Sequence, residues 1–174
     1  MSASAGSERT GSGLAACETS AERAGAPRSG VERIDGADIA WSMSGSGPLV
    51  VWCHGLGSSS RGQERAGLFD WSELEHDFTL LRYDARGHGR STGRAEPDDY
   101  RWKRLARDLT ILLDRLAPGE RVFGVGSSMG SASLVLAELE RPGRFRKLVL
   151  TAPSTLHFTR PQQRDRYLDL ADAI

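Results

Sequence analysis

The sequence predicts an α/β fold, a mostly parallel sheet with flanking helices. Three observations carry that expectation. Near-continuous apolar runs at 49–53, 78–83 and 146–151 read as strands buried on both faces. Apolar residues at helical spacing fill the intervals at 102–116 and 131–140. Strands that alternate with helices of this length require crossover connections, which make a parallel sheet.

Residues 1–30 stand apart in composition. Twenty of the thirty are Ala, Gly, Ser or Thr, and Leu14 is the only large aliphatic side chain after the initiator. Such a segment cannot bury enough apolar area to offset its ordering entropy, so it is expected to be a disordered tail, with Cys17 idle within it. Glu8, Arg9 and Glu18 interrupt any apolar core, so the tail does not read as a secretory signal. The folded domain is expected over 31–174.

The first elements are two short strands, 31–34 and 38–43, turned by Asp35-Gly36 and closed by Gly45-Ser46-Gly47-Pro48. The buried strand 49–53 follows, then a loop with a helix around 67–75, then the strand 78–83. Trp102, Leu105, Leu109, Leu112, Leu113 and Leu116 mark a helix stopped by Pro118-Gly119. A strand at 121–125 leads to a helix at 131–140 that turns Ala132, Val135, Leu136 and Leu139 inward. Pro142-Gly143 ends it, and the strand 146–151 comes next. Tyr167, Leu170, Ala171 and Ile174 sit at i, i+3, i+4 and i+7, a helical pattern on which the sequence ends.

Charge and composition exclude several function classes. The 23 basic and 23 acidic residues cancel, leaving no global field to draw in nucleic acid or anionic lipid. No apolar run is long enough to span a bilayer. Two cysteines give no disulfide framework, and a cytoplasmic location is expected. The histidines are scattered with no acid or cysteine at ligand spacing, so no metal is expected, and no cofactor. Of the basic residues 21 are arginine; they form no stripe and read as coding bias rather than as anion clamps.

Three loops at predicted strand ends carry the chemistry. Gly126-Ser127-Ser128-Met129-Gly130 lies between a strand and a helix. A turn this sharp forces its central residue into strained backbone angles and presents the Ser128 hydroxyl at the sheet edge, above a helix N-terminus that favours negative charge. Cys53-His54-Gly55-Leu56-Gly57 ends the first buried strand. An oxyanion needs two backbone donors, and the N–H groups of Leu56 and Met129 are the natural pair. His54 reads as orienting that loop, with a catalytic base as the alternative, and Cys53 as a buried small hydrophobe, with a thiolate nucleophile as the alternative. The third loop is Asp84-Ala85-Arg86-Gly87-His88-Gly89-Arg90-Ser91. Gly124, Gly126 and Gly130 loosely mimic a dinucleotide-binding loop, but that fingerprint wants its last glycine one residue earlier and an acid at the next strand end, where Thr151-Ala152-Pro153 stands.

Together these three motifs resemble the α/β-hydrolase superfamily over about residues 31–153. The resemblance implies that Gly126–Gly130 is the nucleophile elbow, with Ser128 the nucleophile. It also implies that the His54-Gly55 segment is the oxyanion loop, and that Asp84 and His88 belong to a structural loop. It implies a strand order 1-2-4-3-5-6 for the strands present, with two more to follow in the family. A serine rather than an aspartate at the elbow implies acyl transfer on small-molecule esters, thioesters or amides, rather than epoxide or haloalkane opening. In that family an acid and then a histidine follow the nucleophile. After Ser128 only His157 is available as a base, and Asp165 and Asp169 match neither family position. The expectation is therefore a serine hydrolase fold truncated after its sixth strand, weakly active or inactive as this chain. The alternatives are a noncatalytic module that keeps the cleft, and a live hydrolase rewired through His157. The strand 146–151 would then be an apolar sheet edge open to self-association or to a partner.

Overall fold

A computed structural model describes residues 25–153 of the chain. Six strands form one sheet in the order β1-β2-β4-β3-β5-β6. β1 (Gly25–Ile34) and β2 (Ala37–Gly45) make an antiparallel hairpin, and β2 also runs antiparallel to β4 (Thr79–Tyr83). The remaining pairings are parallel: β3 (Leu49–Cys53) with β4 and with β5 (Val122–Ser127), and β5 with β6 (Phe145–Thr151). The mostly parallel α/β sheet is as the sequence predicts, and so is the strand order. Asp35 and Gly36 both take positive φ, 42° and 87°, which closes the hairpin with the twist that its strands require.

β1 starts at Gly25, six residues before the expected first strand, so 25–30 belong to the sheet rather than to the tail. The register pairs Arg28 to Met43 and Gly30 to Trp41. Main-chain hydrogen bonding along an edge needs no apolar side chain, and composition therefore does not register it. Gly30 has a packing role: a Cβ there would lie 2.9 Å from the Trp41 ring.

The single helix expected around 67–75 is two helices, α1 (Ser60–Arg65) and α2 (Ser72–Asp77). Ser59 caps α1 by accepting from the Gly62 N–H. Gly67, at φ 60°, ends it with paired turn bonds from the Gly67 N–H to the Glu64 carbonyl and from the Leu68 N–H to the Gln63 carbonyl. Asp70 then accepts from the Ser72 N–H and restarts the helix.

α3 (Trp102–Leu116) follows the short 3-10 turn Pro97–Tyr100 and buries Leu105, Leu109, Leu112 and Leu113 as predicted. α4 (Met129–Glu140) begins two residues early, and its inward face differs from the expected one. Val135 and Leu139 are exposed, while Gly130, Ser131, Ser133, Leu134 and Ala137 are buried along with Ala132. The reason is closeness of approach. A Cβ at Gly130 would overlap the Cys53 carbonyl oxygen of β3, so small residues fill the first turns, Leu134 reaches the core with Leu136 packed beside it, and Val135 and Leu139 turn away.

β3 is buried on both faces, and its alternation divides the core. Val51 and Cys53 join Leu81, Leu109, Leu113 and Leu134 beneath α3 and α4. Val50 and Trp52 lie on the other face with Leu80, covered by Phe69, Trp71 and Leu74. β6 is the last strand of the described sheet and is not buried on both faces as expected: Val149 and Leu150 are exposed, because among the described residues β6 has a neighbouring strand on one side only.

Candidate active site

β4, β3 and β5 are parallel neighbours, so the loops after Tyr83, Cys53 and Ser127 meet at one edge of the sheet. The chain leaves β3 to one side for β4 and returns to the other side for β5, which opens a crevice at the strand ends where α/β folds bind ligands.

Ser128 sits on the turn from β5 into α4 with φ 49° and ψ −109°, a conformation that non-glycine residues rarely adopt. Its surroundings hold it there. The Ser128 N–H donates to the Thr151 carbonyl at 3.1 Å, and the Ser131 hydroxyl donates to the Gly126 carbonyl at 2.7 Å. A Cβ at Gly126 would lie 2.7 Å from the Gly130 backbone, so both glycines are required by the closeness of turn, helix and β3. Gly124 is explained in the same way: a Cβ there would meet Leu134 and Leu148 side chains at 2.7 Å, which makes it a packing glycine.

The loop after β3 lies directly against this turn. A Cβ at Gly55 would stand 3.7 Å from both Ser128 Cβ and the Ser127 carbonyl oxygen. His54 is buried and has both ring nitrogens engaged. Its Nδ1 faces the Gly55 carbonyl at 2.8 Å, and its Nε2 accepts from the Ala85 N–H at 2.9 Å. A carbonyl only accepts, so Nδ1 carries the proton and Nε2 the lone pair. Burial holds this imidazole below its ordinary value of 6.5. His54 is thus a neutral brace between two loops. The Gly55 carbonyl also accepts from the Ser58 N–H at 3.3 Å. Because the peptide is planar and trans, pinning that carbonyl turns the Leu56 N–H the opposite way. The Leu56 side chain is exposed. Met129 opens α4, where helical geometry leaves its N–H without an intrahelical acceptor.

Cys53 and Tyr83 are buried together, and burial pushes the Cys53 thiol up to about 12, so it is no thiolate. Asp84 is a loop organiser. Its carboxylate accepts from the Ser60 N–H at 2.8 Å, the Ser60 hydroxyl at 2.5 Å and the Arg90 N–H at 2.9 Å. Burial pushes this carboxyl up, but those donors outweigh it and hold the group below its ordinary value. His88 Nδ1 meets the Arg86 carbonyl at 2.9 Å, and its ring lies 5.2 Å from that of His54. His157 lies outside the described residues.

The alpha/beta hydrolase fold family matches this chain over residues 48–173, a span that takes in all three loops. The chain belongs to that family. It is similar to human monoglyceride lipase, 33% identical over 122 residues, covering 67% of this chain and 38% of that protein. It is 36% identical over 109 residues to 2-(acetamidomethylene)succinate hydrolase of Mesorhizobium japonicum, covering 60% of this chain and 35% of that one. A hydrolase crystal structure from Pseudomonas aeruginosa superposes with a TM-score of 0.70 at 29% identity, over 82% of this chain and 52% of its own. The chain therefore spans little more than a third of the length of these curated relatives. Among the described residues, no helix is long and apolar enough to cross a membrane.

One part of this hydrolase-fold edge escaped the sequence reading. Arg86 is fully buried and grips Asp108 of α3 through two bonds, 2.7 and 2.8 Å, while also donating to the Ile34 carbonyl at 3.0 Å. Those bonds to Asp108 raise the Arg86 guanidinium, whereas burial raises the Asp108 carboxyl against its partner's pull. Ser91 likewise ties the loop to β2, donating to the Asp84 carbonyl and accepting from the Ala40 N–H. A signal for the pair was present: Asp108 falls between Leu105 and Leu112 on the apolar stripe of α3, where a carboxylate needs a cation.

Proposed function

We propose that the protein is a serine hydrolase acting on small-molecule carboxylic esters, thioesters or amides, with Ser128 as nucleophile. The observation that carries this reading is the strained Ser128 turn held 3.7 Å from the position of a Gly55 Cβ. The Ser128 oxygen attacks the acyl carbon, and the carbonyl oxygen becomes an oxyanion received by the N–H groups of Leu56 and Met129. Collapse expels the alcohol, thiol or amine with a proton, and water then releases the acid from the acyl-serine.

The serine proton needs a base, and the base needs an orienting acid. His54 is committed to its brace, and among the described residues the Ser128 hydroxyl makes no hydrogen bond. We take Ser128 to be unactivated in these 174 residues, with catalysis of about 10³–10⁴ over water from the oxyanion site alone. Cytoplasmic residence is part of this reading and rests on the absence of a disulfide framework in a two-cysteine sequence.

A fluorophosphonate probe tests it. Slow labelling that vanishes in Ser128→Ala is expected. Labelling that persists in Ser128→Ala overturns the nucleophile assignment. Fast labelling lost in His157→Ala overturns the unactivated serine and makes His157 the base.

A further inference from the structure

Between the loops after β3 and β4 lies a cleft of about 460 Å³, open to solvent and within the size range of small-ligand sites. Its side-chain functions are the Ser58 and Ser59 hydroxyls and the His88 ring; the rest of its wall is glycine, including Gly57 and Gly89. Among the described residues, no carboxylate, arginine or lysine lines it. One of its walls is built rather than incidental. A Cβ at Gly89 would lie 2.5 Å from the Asp84 carboxylate, so that wall rests on a buried, three-bonded anion and is rigid. Gly57, by contrast, has nothing within 4 Å of its Cβ position.

The chemistry of the cleft follows from the His88 tautomer. The Arg86 carbonyl, 2.9 Å from Nδ1, can only accept, so Nδ1 carries the proton. In the neutral ring Nε2 is then an acceptor, and nothing else among the described residues occupies it. Ser58 supplies a hydroxyl that can give or take a hydrogen bond, and Ser59 accepts from the Gly62 N–H. An acceptor ring with hydroxyls, and no fixed cation, suits a hydroxyl group and not a carboxylate.

We propose that this cleft binds a hydroxyl-bearing arm of the substrate, with His88 Nε2 accepting from that hydroxyl. The proposal rests on the serine-hydrolase reading for its meaning, since it makes the cleft a subsite of the Ser128 centre. β4 and β5 are both neighbours of β3, so the strands that lead into the His88 loop and the Ser128 turn lie two strand spacings apart, about 10 Å. The hydroxyl therefore lies several bonds from the reacting carbonyl.

Two non-hydrolysable probes, 1-O-butylglycerol and its di-O-methyl ether, separate this subsite from the chemistry. Binding is followed by the histidine ring resonances of the full chain at mildly alkaline pH. The free diol is expected to bind about tenfold tighter than the capped ether and to shift the His88 signal. His88→Phe should abolish that preference, Ser58→Ala should weaken it about threefold, and Ser128→Ala should leave it intact. Equal binding of the two probes, or a preference that survives in folded His88→Phe, overturns the subsite. Should His88→Phe fail to fold, Ser58→Ala and the His88 shift decide. Loss of fluorophosphonate labelling with the diol preference retained would count against the nucleophile alone.

Discussion

Replacing Asp108 with Asn tests whether one buried ion pair fixes the loop edge of this fold. Arg86 has no exposed side-chain surface, and Asp108 only 2%. The substitution keeps the shape but removes the charge and turns an amide N–H toward the guanidinium. Breaking a buried pair by removing one partner costs about 3–5 kcal/mol, because the other charge stays buried. Here the Ile34 carbonyl at 3.0 Å, the Asp35 carbonyl at 3.4 Å and the Asp99 carboxylate at 3.6 Å still face Arg86, which places the loss near the lower end, about 3 kcal/mol. For a domain of this size that is a fall in Tm of roughly 6–12 °C. Urea unfolding followed by the fluorescence of buried Trp52 should show a lower midpoint with an unchanged slope. Asp98→Asn, at the exposed pair with Arg101, is the control and should stay within about 0.5 kcal/mol. Arg86→Met combined with Asp108→Leu should recover much of the loss, since no unpaired charge remains. A loss below about 1 kcal/mol in Asp108→Asn would refute the reasoning and show that the carbonyls and Asp99 suffice.

Three further outcomes follow, two from the same loop edge and one from the outer strand β6. His54 is held neutral by burial, so the unfolded chain takes up its proton first as pH falls; the stability His54 contributes is full above pH 6.5 and declines below it, by up to about 1.4 kcal/mol per pH unit. Denaturation midpoints across that acid range should flatten in His54→Asn, and an unchanged slope would mean that another group titrates there. Ser128→Gly should stabilise the fold by about 1 kcal/mol by releasing the strained turn, whereas Ser128→Ala should be near neutral; equal stabilities would show that the φ of 49° costs nothing. Val149 and Leu150 are exposed on the last described strand, so the chain should self-associate at tens of micromolar, and Val149→Lys should reduce it; sedimentation of a monomer for both proteins would remove the edge as an interface.

Much of this was legible from residue order alone. The apolar runs located β3 and β4 within a residue or so, because strands with both faces in the core have few polar positions to spare. The run at 146–151 located β6 as closely, although that strand is mostly exposed. Ser128 could be located because strand, Gly-x-Ser-x-Gly and helix are consecutive, and the glycines stand where the backbones of the turn and β3 leave no room for a Cβ. The hairpin turn at Asp35-Gly36 was legible for the same reason: positive φ is a local demand met by local residues.

Tertiary structure decided what depends on a distant neighbour. The start of β1 at Gly25 is fixed by pairing to Gly45, not by its own composition. The inward face of α4 follows from how closely β3 approaches, which puts Leu134 inside and leaves Leu139 in solvent although both are equally apolar. His54 is a brace rather than a base because the Ala85 N–H, 31 residues away, comes to its Nε2. Arg86, one arginine among 21, is singled out only because folding carries Asp108 to it and excludes water from both. A sequence states which groups are present and their local periodicity; which donor meets which acceptor is set when the sheet orders its strands, because a buried polar group must be satisfied by whatever that order brings within 3 Å.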